Sequence, residues 1–101
     1  DEAARVLAAR AMRRGGSQPS RWLEFAFRLA TSRQATEVER QILLDEYKDR
    51  LGEFRTDTVR ARSYLTEQAV KLDSDLDVAE WAACAAACSL ILNLDESISA
   101  S

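Results

Sequence analysis

The sequence predicts an all-α domain, a small orthogonal or antiparallel bundle of about five helices around a buried C-terminal helix rich in Ala, Cys and Leu. Three observations predict it. The stretch from Trp81 to Leu94 is apolar except at Ser89 and Asn93, so a helix there has no polar face and must be covered by neighbours. One Pro and three Gly in 101 residues supply too few turns for a β-domain, while Ala, Leu, Arg and Glu abound. The rest of the chain divides at capping signals into segments with apolar residues at helical spacing.

The first helix is predicted over 2–14. Ala4, Leu7, Ala8 and Ala11 form its apolar row, Glu2 stands at its start, and Arg13 and Arg14 stand at its end, which matches the helix dipole. Gly15 and Gly16 stop it, since Gly just beyond a helix takes the left-handed conformation that releases the chain. Pro19 suits the first turn of a second helix, capped by Ser17 or Gln18. In that helix Trp22, Phe25, Ala26 and Leu29 line one face, Leu23, Phe27 and Ala30 widen it, and Glu24 and Arg28 are spaced to pair on the wet side.

Thr36 and Glu39 form a Thr-x-x-Glu capping box, which places the start of a third helix at Glu37. Val38, Ile42, Leu44, Tyr47, Leu51 and Phe54 are its predicted buried side, and Glu46 and Arg50 its exposed pair. Thr56 or Asp57 caps a shorter helix through about Thr66, with Val59, Ala61, Tyr64 and Leu65 as buried candidates. In residues 67–76 Ala69, Val70 and Leu72 could prolong that helix, but Asp73, Ser74 and Asp75 mark a connection, and the segment reads as a loop. Asp77 and Glu80 repeat the capping pattern and start the final helix just before Trp81. There Trp81 to Cys88 let other helices come close, and Leu90, Ile91, Leu92 and Leu94 supply bulk. The small polar tail 97–101 is expected to fray.

Length allows one domain, 1–101, with a single core and no room for an elaborate enzyme cleft. The net charge of -3 conceals an asymmetry, with seven Arg against three acids in residues 1–34 and seven basic residues against fourteen acids in 35–101. Within one small domain this predicts attraction between the two parts rather than a polyanion site. The chain has no His, which removes the commonest general base and the commonest metal ligand, and no catalytic residue is predicted. The apolar run 81–94 is shorter than the roughly 18 residues of a membrane span, so no membrane insertion is expected.

Three clusters carry alternative chemistry. Cys84 and Cys88 lie one turn apart on a helix face, but a metal clip needs about four ligands and the chain has neither His nor a second Cys pair to complete one, so they read as small core-filling residues. Asp73, Asp75, Asp77 and Glu80 resemble a calcium loop only in their alternation. They lack its turn Gly and its distal bidentate Glu, so they read as capping and solvated residues, and neither metal nor cofactor is predicted. Arg10, Arg13, Arg14, Arg21 and Arg33 would suit nucleic acid, but a pI near 5.0 and the lack of a polar base-reading helix face argue against it.

Three pieces in order, Glu-Ala-Ala-Arg-Val-Leu-Ala-Ala-Arg at 2–10, Ala-Phe-Arg-Leu-Ala-Thr-Ser-Arg at 26–33 and Leu-Ile-Leu-Asn-Leu-Asp-Glu at 90–96, carry a resemblance. Together they resemble the C-terminal part of a planctomycete-type secreted domain family of unknown function, often found in large exported proteins beside cytochrome-c-like segments. The capped turn Thr36-Glu37-Val38-Glu39 fits the family's habit as well. Two departures are visible: Ser97 stands where the family continues with an aromatic, and Cys84 stands where it often carries a Trp.

The resemblance implies a bacterial, exported protein, periplasmic or at the cell surface, of which this chain is a C-terminal piece. It implies no catalytic residues; Arg28, Asn93 and Glu96 match the family's motifs and are expected to be structural hydrogen-bonding residues. The expected function is a structural or protein-interaction module that packs on the rest of its parent chain or on another protein. The alternatives are a small nucleic-acid-binding bundle and an accessory domain of an electron-transfer or carbohydrate-active enzyme. Burial of the final helix makes a direct prediction: Cys84 and Cys88 react with a thiol reagent only after denaturation, and rapid labelling of both in the native chain would contradict it.

Overall fold

Six helices, in a computed structural model that describes residues 2–100 with side chains through Leu94, are α1 (Glu2–Arg14), α2 (Pro19–Thr31), α3 (Glu37–Thr56), α4 (Thr58–Leu65), α5 (Glu67–Leu72) and α6 (Val78–Ala100). No strand occurs among the described residues, and the all-α bundle holds. The radius of gyration is 12.8 Å, close to the ~13 Å of a compact chain this long.

The helix ends follow local chemistry. Gly16 takes φ 70° after α1, and Gln18 occupies the cap position of α2 without a side-chain cap bond, so Pro19 at the first turn sets that start. At α3 both halves of the capping box are made: the Thr36 hydroxyl accepts from Glu39 N–H at 3.1 Å, and the Glu39 carboxylate accepts from Thr36 N–H at 2.8 Å. Asp57 is the cap of α4, accepting from Arg60 N–H at 3.0 Å. Asp77 caps α6, accepting from Glu80 N–H at 2.9 Å.

The segment 67–76 is not all loop. Residues Glu67–Leu72 form α5, because Thr66 serves two helices at once: its N–H donates to Arg62 O at 2.8 Å to close α4, and its hydroxyl accepts from Ala69 N–H at 3.3 Å to open α5. To do so Thr66 adopts φ 81°, which is sterically costly for a β-branched residue. At the other end of the chain α6 stays helical to Ala100, beyond the point where the sequence suggested fraying.

The predicted axis of the fold is present. Trp81 to Cys88 are all buried, and α1, α2, α3 and α4 pack on α6. Ala82, Ala83, Cys84, Ala87 and Cys88 expose none of their surface, and both thiols are free. Small side chains on every side of α6 allow close approach, while Trp81, Phe27, Leu65 and Ile91 fill the larger gaps. The Trp81 indole N–H donates to Arg5 O at 3.0 Å, so the largest core side chain leaves no polar atom unpaired and ties α6 to α1.

Several predicted faces are rotated. On α3 the buried residues are Leu43, Tyr47 and Phe54, whereas Val38 and Ile42 are exposed. The sequence favoured Val38 and Ile42 because it rewarded apolar character without regard to which side α6 occupies. On α4 Ala61 and Leu65 are buried while Val59 and Tyr64 are exposed; the Tyr64 ring instead packs on Phe54 at 5.6 Å. On α2 the core face is Trp22, Leu23, Ala26 and Phe27, and Leu29 faces out. In α6 the bulky end is only partly covered: Ile91 is buried, but Leu90 and Leu94 are exposed.

Ion pairs link the basic N-terminal third to the acidic remainder, as the charge asymmetry predicted. Arg13 bridges Asp73 at 2.7 Å and Asp75 at 3.0 Å, pinning the α5–α6 connection to α1. Glu46 and Arg50 pair at 3.1 Å as predicted, but Glu24 reaches Arg40 on α3 at 3.4 Å rather than Arg28.

The two glycines of contrasting surroundings give opposite predictions. A Cβ on Gly15 would lie 2.6 Å from Trp22 Cδ1 and 3.0 Å from Trp22 N, so Gly15→Ala should lower stability in urea unfolding by about 1–3 kcal/mol. A Cβ on Gly52 meets nothing within 4 Å, so Gly52→Ala should raise stability by about 1 kcal/mol.

Candidate interaction surfaces

No polar or charged residue is buried among the described residues, so the interior holds no polar constellation on which chemistry would run. The Tyr47 hydroxyl is the exception at the level of atoms: it is buried with no hydrogen-bond partner among the described residues. Its ring meets Trp22 edge-on at 6.1 Å, and burial pushes its phenol well above the usual tyrosine range. That group stays protonated at any physiological pH, and its ring packs in the core.

The polar clusters singled out in the sequence are scattered or already occupied. Cys84 and Cys88 lie side by side in the core, where the Cys84 contact and burial raise the Cys88 thiol well above its ordinary value and leave it a poor nucleophile. Asp73 and Asp75 both hold Arg13, and Asp77 is spent on the α6 cap, so the acidic run does not converge on one point. Among the described residues no group of three or more His, Cys, Asp or Glu side chains is placed to hold a metal ion.

The five arginines also separate. Arg13 is committed to its two aspartates. Arg33 pairs with Glu39 at 2.8 Å and lies over the Phe27 ring at 4.8 Å, and Arg14 lies over Phe25 at 5.7 Å. Arg10 and Arg21 are exposed, with no ion pair among the described residues. Of the residues matched by the family resemblance, Arg28 and Asn93 are exposed and make no side-chain hydrogen bond among the described residues, which corrects the structural role expected of them; the Glu96 side chain lies outside the described residues.

Two of the open clefts among the described residues are rimmed by strongly exposed apolar side chains. The first is a seam between α3 and α6, a cleft of about 260 Å³ lined by Phe27, Ile42, Leu43, Leu90, Ile91 and Leu94 with Glu39 at its edge. Ile42 is 54% exposed, Leu90 38% and Leu94 37%, and Val38, one turn from Ile42, is 69% exposed. The same rows of apolar residues that sequence reading assigned to the core therefore form a surface. At the rim Glu39 is held by Arg33 and by Thr36 N–H, which together hold its carboxyl down at about 2. The second surface is an open groove of about 650 Å³ between α1 and α5, lined by Arg5, Val6, Ala9, Arg10, Arg13, Arg14, Thr66, Gln68 and Leu72 among others. Sequence reading missed it because Val6 was not singled out and the segment that holds Leu72 was read as a loop rather than as a helix.

Fold and surfaces together define a small all-α domain with two clefts rimmed by exposed apolar side chains. No family model, curated protein or solved structure matches the chain. No described helix is long and apolar enough to cross a membrane.

The Glu39 carboxylate gives this region a pH signature. Its folded pKa lies below that of an unfolded Glu, so its contribution to stability is complete above the unfolded value and is lost as pH falls toward about 2. Carboxyl-carbon NMR should show Glu39 titrating near 2 in the native chain, and Arg33→Gln should move that midpoint up toward the ordinary Glu range; an unmoved midpoint would refute the pairing.

Proposed function

We propose that this domain is a non-catalytic protein-interaction module of an exported multidomain protein, and that its α3–α6 seam seats an apolar helix of the same parent polypeptide. The single observation that carries the reading is the exposed row of Val38, Ile42, Leu90 and Leu94 around the cleft. Contiguous exposed apolar side chains of this kind mark interaction sites on small domains, because covering them removes apolar area from water at roughly 25 cal/mol per Å². The choice of occupant rests on the family resemblance, which places such a domain at the end of a longer exported chain. An apolar partner element from the same chain suits a seam with one carboxylate at its edge, already neutralised by Arg33.

The test uses the segment that precedes this domain in its reading frame, expressed separately and titrated against the domain. Binding is expected, with Ile42→Lys and Leu94→Lys each weakening it about tenfold or more while helicity is retained. Undiminished binding by the double variant, or turnover of a defined substrate by the domain alone, would sink the proposal.

A further inference from the structure

The groove between α1 and α5 shares no lining residue with the α3–α6 seam and differs from it in chemistry. Its rims are apolar and open: Val6 on α1 is 56% exposed and Leu72 at the end of α5 is 78% exposed. Ala9 and Ala69 form a buried floor between them. Along α1 the residues Val6, Ala9, Arg10 and Arg13 recur at helical spacing over about 10 Å, and within that stripe the Val6 and Arg10 side chains are exposed.

The charges on this stripe are unbalanced. Four arginines, Arg5, Arg10, Arg13 and Arg14, line the groove against two carboxylates, Glu2 and Asp73. Asp73 and, from beside the groove, Asp75 are both taken by Arg13, at 2.7 Å and 3.0 Å, and Glu2 stands 3.8 Å from Arg5. Arg5 also donates to Leu65 O at 3.1 Å, which fixes its guanidinium against α4. Among the described residues Arg10 has no ion-pair partner and Arg14 has only the Phe25 ring, so two guanidinium groups are left without a counter-charge there, in a chain whose net charge is -3. A local positive excess beside an apolar trough is complementary to a surface that is both acidic and apolar.

We propose that this groove binds an acidic amphipathic helix. Apolar residues of the partner at i, i+4 and i+7 lie between Val6 and Leu72, and carboxylates flanking that row meet Arg10 and Arg14. The floor decides between this partner and a nucleic acid. Val6, Ala9 and Leu72 offer no side-chain donor or acceptor to base edges, and Trp81, the one aromatic residue lining the groove, is buried and unavailable for stacking. An acidic helix satisfies the apolar rims and the free guanidinium groups together. The inference stands apart from the reading of the α3–α6 seam, since its variants touch none of the seam residues.

The experiment is a fluorescence-anisotropy titration of the whole chain with a labelled synthetic helix carrying Leu at i, i+4 and i+7 and Glu on the flanking positions. The control is the same helix with Lys in place of each Glu. Saturable binding of the Glu helix is expected, weakening as salt is raised, with at least about tenfold poorer binding of the Lys helix. Arg10→Glu and Leu72→Asn should each weaken the Glu helix about tenfold, and Arg21→Glu, outside the groove, should not. All three positions are exposed, and unchanged helical circular dichroism excludes misfolding. Absence of binding, equal binding of both helices, insensitivity to Arg10→Glu, or displacement of the Glu helix by duplex DNA at lower concentration than by unlabelled peptide would each overturn the proposal.

Discussion

Close approach to α6 is the constraint on which the rest of the structure depends. From Trp81 to Cys88 the side chains are Ala and Cys except for the leading Trp, and every one is buried. A helix clothed in such short side chains draws its neighbours' backbones inward, and helices packed that tightly leave no interior space for large polar groups. Four helices therefore meet on one axis in a chain of 101 residues, and the one bulky residue at the start of that axis is anchored by its indole bond to Arg5 O. The absence of buried polar residues among those described follows from the same constraint: an unpaired polar group has no room for a water to satisfy it.

The small side chains have a limit. Beyond Cys88 the sequence of α6 turns bulky with Leu90, Ile91, Leu92 and Leu94, and the neighbouring helices cover one side of that end. Ile91 points into the bundle, while Leu90 and Leu94 join Ile42 on the outside. The two ends of α6 thus do different things. One closes the core, and the other lines a seam in which Leu90 and Leu94 stay exposed. At α1 the division is made by charge: its Ala-rich face enters the core, and its opposite stripe, with Val6 and Arg10, meets only the short α5 across a groove.

Much of the fold was legible because its signals are local. The Gly pair after Arg14, Pro19 in a first turn, the Thr36–Glu39 box and the Asp77 cap each satisfy backbone groups within a few residues, and each stands where the sequence placed it. The α5 helix was missed for a reason equally physical. Its start depends on Thr66 holding φ 81°, a conformation that no propensity favours and that packing of Ala69 and Val70 must maintain. The surfaces were less legible still. Periodicity gave the apolar rows of α3 but not which row turns inward, so Val38 and Ile42 were placed in the core and Leu43 was overlooked.

The sequence by itself determined that this protein is helical, that Trp81 to Cys88 must be its buried axis, and that its basic first third and acidic remainder attract, because apolar runs, caps and charge counts are properties of neighbouring residues. Only the tertiary structure decided which apolar residues are left outside and which arginines go unpaired. Those outcomes depend on how far each helix is rotated about its axis and on which carboxylate arrives beside which guanidinium. Both are settled by the packing of segments distant in the chain: Arg13 finds Asp73 sixty residues away, while Arg10, one turn earlier on the same helix, finds none.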